Sequence, residues 1–320
     1  MKMKHIFLAM LAVGLLSACN NEIEITGIDD SPAVFSGNIA GQGSAATRAY
    51  DTSWEEGDLI GISGTTGEVT YTNVSYTTTG ADGNFTVSTP GQDIYFQDEQ
   101  PVTFTAYYPW NNLTAGITII AADTRDQAGQ NGFDFLWAQA SGSKAQPRVS
   151  FHFAHKMTKV VFTIHRGADV SFSEVQSAAL SLGGYLPEGT FSVTDGTATA
   201  DATAALTAPQ TFAGSTTSSH NAPSAADATA QTVAYTLILF PQEFAAPLTF
   251  TANLGTAQTL TAGLDFTAGN RDAGDTEPKN AWVAGRQYNM DITLNKTSIQ
   301  VTGCTITEWT EVDAGNVDAQ

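Results

Sequence analysis

Short runs of β-branched and aromatic residues, separated by Gly, Asn, Asp and Pro, recur along almost the whole chain. In the runs 159–165 and 248–254, apolar and polar side chains alternate, as expected for a strand with one buried face. Helix start and stop patterns are almost absent. The chain is therefore predicted to be all-β, with a sandwich architecture. The runs that carry this prediction are 59–63, 69–76, 84–88, 102–107, 149–153, 159–165, 235–240, 248–254 and 288–294.

The 320 residues are enough for two domains, since roughly 100 to 200 residues form one. A small, polar stretch at 141–147 precedes the strong run that starts at Arg148. We expect an amino-terminal β-sandwich over 49–147 and a carboxyl-terminal one over 148–320, each with its own core. Residues 197–232 are rich in Ala, Thr and Ser and are expected to form a long exposed loop with weak edge strands.

The charge balance limits the partners of the chain. There are 13 basic residues against 32 acidic ones, a formal charge of −19. Such a surface repels phosphate backbones, so a nucleic-acid partner is excluded, and it repels anionic lipid as well. Since no run after the amino end approaches the length of a membrane-crossing helix, any membrane association is expected to come from a covalent lipid.

The amino end predicts export. Lys2 and Lys4 precede an apolar run at 6–16, which is shorter than the ~20 residues of a membrane span and is typical of a secretory signal peptide over 1–19. The sequence Leu-Ser-Ala-Cys at 16–19 resembles a lipobox, in which Cys19 becomes the acylated, for instance palmitoylated, first residue. Asn20 after it favours the outer membrane. The alternative is ordinary cleavage beside an incidental cysteine.

No pattern for catalysis or metal binding is found. His152 and His155 differ by an odd number in an extended run, so they point to opposite faces and cannot share a metal. The acids of 55–58 have no partner placed across a cleft. Calcium loops, phosphate-binding loops and nucleophile elbows are missing. The chain is predicted to be no enzyme, with no catalytic residues, metal or cofactor. Cys304 has no cysteine left to pair with and is expected to be a small buried residue.

Several blocks in a fixed order resemble the fimbrillin family, the subunits of type V pili. They are Thr47-Arg-Ala49, Trp54-Glu-Glu-Gly-Asp58, Phe104-Thr-Ala-Tyr-Tyr-Pro-Trp110, Asp134-Phe-Leu-Trp-Ala138, Phe151-His-Phe-Ala-His155, Leu237-Ile-Leu-Phe-Pro-Gln242, Ala284-Gly-Arg-Gln-Tyr288 and Ile306-Thr-Glu-Trp309. The resemblance implies a lipoprotein precursor with two tandem transthyretin-like Greek-key β-sandwich domains at the outer membrane. It also implies maturation by an arginine-specific protease, with Arg48 at the cleavage position, and polymerisation with other fimbrillin subunits by strand exchange.

The residues themselves suggest how such an exchange would work. The pro-segment 20–48 contains a predicted strand at 33–40, with Phe35 and Ile39 on one face, followed by a Gly/Ser-rich stretch and Arg48. Cleavage between Arg48 and Ala49 would free this strand and expose an apolar groove with unpaired backbone groups. The alternative is that Arg48 is a solvated loop residue and the strand stays in place.

The carboxyl end offers a candidate donor strand. Its apolar row changes phase at Gly303, as a β-bulge would make it. A donor and an ordinary last strand look alike in sequence. The residues of this row are Ile299, Val301, Cys304 and Ile306.

The sequence therefore predicts a fimbrial structural subunit or fimbrillin-like surface adhesin, located in the fimbrium and assembled by protease-triggered strand complementation. A host protein or glycan receptor is a further expected partner. The alternative is a monomeric, lipid-anchored glycan-binding protein that stacks sugars on exposed aromatic rings, although most such rings in a sandwich lie in the core. The rings in question are Trp54, Tyr107, Tyr108, Trp110 and Trp137.

Overall fold

A computed structural model describes residues 32–40, 53–255, 258–267 and 279–309. It is 52% strand and 6% helix, which confirms the all-β prediction. The strands are β1 Val34–Ile39, β2 Leu59–Thr66, β3 Val69–Thr78, β4 Asn84–Val87, β5 Val102–Tyr108, β6 Ile119–Asp123, β7 Leu136–Gly142, β8 Arg148–His155, β9 Thr158–Arg166, β10 Ala179–Gly183, β11 Glu188–Ser192, β12 Ala198–Ala200, β13 Gln210–Ala213, β14 Ser224–Asp227, β15 Thr232–Leu239, β16 Gln242–Glu243, β17 Leu248–Asn253, β18 Leu260–Leu264, β19 Ala281–Trp282, β20 Arg286–Leu294 and β21 Ile299–Glu308.

Helical structure in the described part of the chain is short. The α-helix α1 spans Phe172–Gln176, and two 3₁₀ turns span Gln127–Gly132 and Ser218–His220. Ser171 caps α1, since its hydroxyl accepts the backbone N–H of Glu174 while the Glu174 carboxylate accepts the N–H of Ser171. No helix among the described residues is long and apolar enough to cross a membrane.

Seven strands close into a barrel in the order β1-β4-β3-β2-β5-β7-β8. All neighbours are antiparallel except β1 and β8, which run parallel. Alternate residues point inwards, and aromatic rings fill much of the interior. This closed sheet is called the first barrel below.

The first barrel extends beyond the boundary expected at 147/148. Strand β8, which was expected to start the second unit, instead pairs with β1 and β7. The inward residues of β8 are Val149, Phe151 and Phe153, and all three are buried in the barrel core. The short polar stretch before Arg148 is thus the β7–β8 turn, closed by paired backbone bonds between Ser143 and Gln146.

Beyond the first barrel, the two largest sheets of the described residues lie around one core. Their strand orders are β13-β10-β17-β18 and β14-β15-β9-β20-β21. Apolar residues of both sheets contact each other, with Phe162 of β9 and Phe250 of β17 at a ring distance of 5.5 Å. These two sheets are called the second unit. The sheet β12-β11-β6 also joins the units, because β6 comes from the first half of the chain and pairs with β11.

A third apolar cluster lies where the two units meet. Phe135 stacks on Phe191 at 4.4 Å, and Trp309 stacks on His155 at 3.6 Å. The Gln127 amide donates to the carbonyl of Ile238 at 3.0 Å and accepts the Ile238 N–H at 3.1 Å. Packing and hydrogen bonds therefore couple the first barrel to the second unit.

Candidate functional site: the first strand and the last strand

Strand β1 is the first described element, yet it lies between two partners. It pairs in parallel with β8 from Val34, opposite Arg148, to Ile39, opposite Phe153, and antiparallel with β4 through Phe35 and Ser36. The flanking Ala33 and Ala40 donate to backbone carbonyls at 2.8 Å. Both edges of β1 are therefore hydrogen-bonded, and β1 closes the first barrel.

The inward face of β1 fills the centre of the barrel core. Phe35 is 1% exposed, and Ile39 is also buried. The Phe35 ring contacts three other aromatic rings: Tyr76 edge-on at 5.0 Å, Phe104 edge-on at 5.3 Å and Phe151 stacked at 5.8 Å. Without β1, these rings would line an open apolar groove.

Gly37 lies between Phe35 and Ile39 in the middle of β1. Any larger residue at this position would require its neighbours to move. A Cβ on Gly37 would lie 2.7 Å from the Phe153 ring. The Gly37 carbonyl accepts the indole N–H of Trp54 at 2.7 Å, and the Gly37 N–H donates to the Gly83 carbonyl at 2.8 Å. Gly83 itself has φ +66°, and a Cβ there would lie 2.1 Å from the Gly37 carbonyl oxygen. The sequence pattern placed Phe35 and Ile39 on one face but did not reveal this close approach.

One titratable group belongs to this core. Burial raises the pKa of Tyr76 to about 12, although its hydroxyl accepts the backbone N–H of Ile94 at 3.1 Å, which acts in the opposite direction. The protonated hydroxyl is therefore the form that the packed barrel favours.

Strand β21, the last strand in the described part of the chain, lies at the end of its sheet and has β20 as its only partner among the described residues. Its register shifts opposite Asp291 and Ile292, which face Gly303 and Val301, so the bulge predicted from the phase change is confirmed. Ile299 and Ile306 are partly buried against the core of the second unit, whereas Val301 is 40% exposed.

Cys304 also lies on β21 and is half-buried rather than fully buried. Burial raises the pKa of its thiol, and the carboxylate of Asp265 acts in the same direction. The thiol form is therefore favoured at this position.

Two of the five aromatic rings considered for glycan stacking are interior. Trp54 and Tyr107 are each 2% exposed, and the Trp54 ring contacts Phe85 and Phe153 in the barrel core. These two rings cannot stack on a saccharide. Tyr108, Trp110 and Trp137 are half-buried, and burial together with the carboxylate of Asp58 raises the pKa of Tyr108.

His152 and His155 point to opposite faces of β8, as the strand alternation predicts. His152 is exposed on β8, while His155 is buried, with Nδ1 2.9 Å from Asp134 Oδ1. His165 pairs with Asp291 at 2.8 Å. Within 32–40, 53–255, 258–267 and 279–309, no group of three or more His, Cys, Asp or Glu side chains could hold a metal ion. The Asp134–His155–Trp309 cluster was not found from the sequence, because its members lie far apart in the chain.

Three of the expected site residues lie outside the described part of the chain. They are the predicted lipidation residue Cys19 and the predicted cleavage pair Arg48 and Ala49.

Two solved structures share the fold. One is described as a "putative cell adhesion protein" from Bacteroides ovatus ATCC 8483, with 24% identity and a TM-score of 0.69; the match covers 88% of this chain and 99% of that one. The other carries the same description, from Bacteroides uniformis ATCC 8492, with 27% identity, a TM-score of 0.64 and coverage of 87% and 99%. The fold therefore places this chain in the same class of all-β proteins as these two.

Residues 47–309 match the family model described as fimbrillin-like. The "Putative fimbrium subunit Fim1C" of Bacteroides uniformis is 31% identical over 328 residues, covering 98% of both chains. The chain belongs to the fimbrillin-like family, which confirms the resemblance found in the sequence.

Proposed function

We propose that this chain is a fimbrial subunit or surface adhesin that assembles by protease-triggered β-strand complementation. The observation that supports it is the position of β1, which is hydrogen-bonded on both edges and buries Phe35 at the centre of the core. Arg48 separates this strand from the rest of the first barrel in sequence. A cut between Arg48 and Ala49 would leave β1 held by non-covalent contacts alone.

Loss of β1 would create a groove that can accept a strand from another subunit. The inner edges of β4 and β8 would lose their ladder partners, and the rings around Phe35 would lose their apolar contact. Exposed edges and apolar grooves are completed by an added strand, whose backbone supplies hydrogen bonds and whose alternate side chains fill pockets. The partner would be another fimbrillin subunit, of the same or a related kind.

Strand β21 has the features of a matching donor. A donor needs an apolar residue in the Phe35 pocket and a glycine two positions later, where a Cβ would meet the Phe153 ring. Val301 and Gly303 have this spacing, as Phe35 and Gly37 do. Val301 is 40% exposed on a strand at a sheet end, so this side chain is accessible to a second subunit. In the exchange, Gly303 would occupy the Gly37 position, with Val301 in the Phe35 pocket and Ile299 two positions before it.

The experiment compares the precursor with Arg48→Ala and Arg48→Lys after incubation with an arginine-specific protease. Mass spectrometry locates the cut, and electrophoresis in SDS at room temperature detects polymers. We expect cleavage at Arg48 and a ladder for the parent chain only; Arg48→Lys keeps the charge while removing the cleavage residue. Ladders of equal intensity from the uncleaved variants would contradict the proposal.

We further propose that the first barrel and the second unit are tandem transthyretin-like domains.

We also propose that the signal peptide is removed before Cys19 and that acylated Cys19 anchors the chain in the outer membrane. The Leu-Ser-Ala-Cys pattern supports the anchor. A Cys19→Ala variant should leave the membrane fraction of fractionated cells. Its continued sedimentation with membranes would count against lipidation.

A further inference from the structure

A groove with a volume of about 580 Å³ and a mixed lining of polar and apolar residues opens on the first barrel beside β3. A second groove of about 530 Å³ shares Thr72, Asn73 and Gln92 with it, so the two are continuous. Each volume falls within the roughly 300–1,000 Å³ of small-molecule sites. No residue of β1 lines either groove, so this surface does not depend on which strand closes the barrel.

The groove is held in shape by bonds around Asn73, which has a positive φ of 53°. The Asn73 side chain accepts the Tyr107 hydroxyl at 2.7 Å and donates to the Asn111 carbonyl at 2.9 Å. The indole N–H of Trp110 donates to the Asn73 carbonyl at 3.3 Å. Trp110 is thus fixed at the groove by its polar edge, and a fixed ring loses little conformational entropy when it binds a ligand.

The chemistry of the lining points to one class of ligand. None of the residues lining the 580 Å³ groove is charged; the polar ones are amides and hydroxyls. Gln92 and Asn112 are exposed, so their amides can donate to and accept from a ligand. Trp110 supplies an apolar surface beside them. Amides, hydroxyls and one aromatic ring match a pyranose, which has an apolar C–H face and a rim of hydroxyls.

We propose that this groove binds a neutral oligosaccharide. The continuation past Tyr71 and Tyr95 favours a chain of sugars over a single one. The formal charge of −19 disfavours acidic sugars. A peptide would bind by adding a strand to a sheet edge, and β3 is already paired on both edges, with β2 and β4.

The test probes the full-length chain against an array of neutral oligosaccharides built from glucose, galactose, mannose and N-acetylglucosamine, with sialylated and sulfated counterparts. Hits are titrated calorimetrically. We expect binding of neutral members only, and a loss of at least about tenfold in affinity for Trp110→Ala, since this variant lacks the ring on which a sugar would stack. Trp110→Phe should retain more affinity than Trp110→Ala.

Two further variants keep the result interpretable. The double variant Gln92→Ala/Asn112→Ala changes only exposed side chains, so it should fold and lose affinity. Trp137→Phe, at a half-buried tryptophan outside the groove, should bind as the parent chain does. No binding of any neutral member at millimolar concentration would overturn the proposal. Equal binding of acidic members, or full affinity in both groove variants, would also overturn it.

Discussion

Strands β1 and β21 carry a similar sequence pattern but occupy opposite kinds of position. Each has an apolar residue two positions before a glycine, Phe35 before Gly37 and Val301 before Gly303. Strand β1 has a hydrogen-bonded neighbour on each side, whereas β21 has one within the described ranges. Topology rather than composition therefore decides which strand's removal opens a core.

The glycines show the same difference at atomic scale. A Cβ on Gly37 would meet the Phe153 ring inside the barrel core at 2.7 Å. A Cβ on Gly303 would meet only the Asp291 carboxylate, at 3.3 Å, and that side chain is 45% exposed. The neighbour that restricts β1 is a fully buried ring, whereas the neighbour that restricts β21 is a part-exposed carboxylate.

The largest expected difference follows from the buried ring of β1. Phe35→Ala should lower the free energy of unfolding of the first barrel by about 3–5 kcal/mol, the usual cost of truncating a buried phenylalanine. Ile306→Ala on β21 should cost clearly less, because Ile306 is only partly buried. Urea denaturation gives the free energies, and hydrogen exchange with mass spectrometry assigns each loss to a unit.

Val34→Ala is the matched control for this comparison. Val34 lies on the outward face of β1 and is 44% exposed, so its truncation should change stability by no more than about 0.5 kcal/mol. Equal losses from Phe35→Ala and Ile306→Ala would show that the two strands support their cores alike, against the contrast drawn from topology.

A smaller difference is expected from the two glycines. Gly37→Ala should destabilise the first barrel by about 1–3 kcal/mol, because the added methyl overpacks the core beside Phe153. Gly303→Ala should cost less, because the Asp291 side chain that it would meet is 45% exposed and its pair with His165, itself part-exposed, contributes little to stability. Urea midpoints of the two variants test this directly; a neutral Gly37→Ala would mean that the Phe153 ring yields easily.

The sequence allowed the inward face of β1 and the bulge of β21 to be predicted, because both follow from a period of two along one strand. It did not allow the partners to be predicted. The parallel pairing of β1 with β8 joins residues more than a hundred positions apart, and this pairing moved the expected boundary beyond Arg148. Alternation fixes which face is buried, but it carries no information about the neighbouring strand.

The same limit explains two other differences. Residues 197–232 were expected to be an exposed loop with weak edge strands, and their edge strands are present, yet Phe212 on β13 is buried against Phe162. Trp54 lies in a polar run beside three acids, but its indole reaches the Gly37 carbonyl in the core. A single apolar ring in a polar segment is buried through a long-range contact, which local composition does not record.

The smallest expected effect is a loss of stability at alkaline pH through Tyr76, which packs against β1. The folded-state pKa of Tyr76 is about 12, above the ordinary value of 10.0, so the unfolded chain releases this proton more easily. The contribution of Tyr76 to stability should therefore be complete below pH 10 and be lost as the pH rises through 12. Because the Tyr76 ring contacts Phe35, ionisation of Tyr76 should weaken the packing of β1 against the barrel core.

Urea midpoints by circular dichroism at pH 8, 10 and 11 measure this loss. Tyr76→Phe should be slightly less stable at pH 8, since the Ile94 N–H loses its acceptor, but its midpoint should fall less between pH 10 and 11. Tyr71→Phe is the control: its hydroxyl accepts the Tyr95 N–H at 3.2 Å, but the side chain is half-exposed. If the urea midpoint of Tyr76→Phe falls as steeply between pH 10 and 11 as that of the parent chain, another group causes the alkaline loss of stability. In that case, ionisation of Tyr76 beside β1 would not be the cause of the loss of stability at alkaline pH.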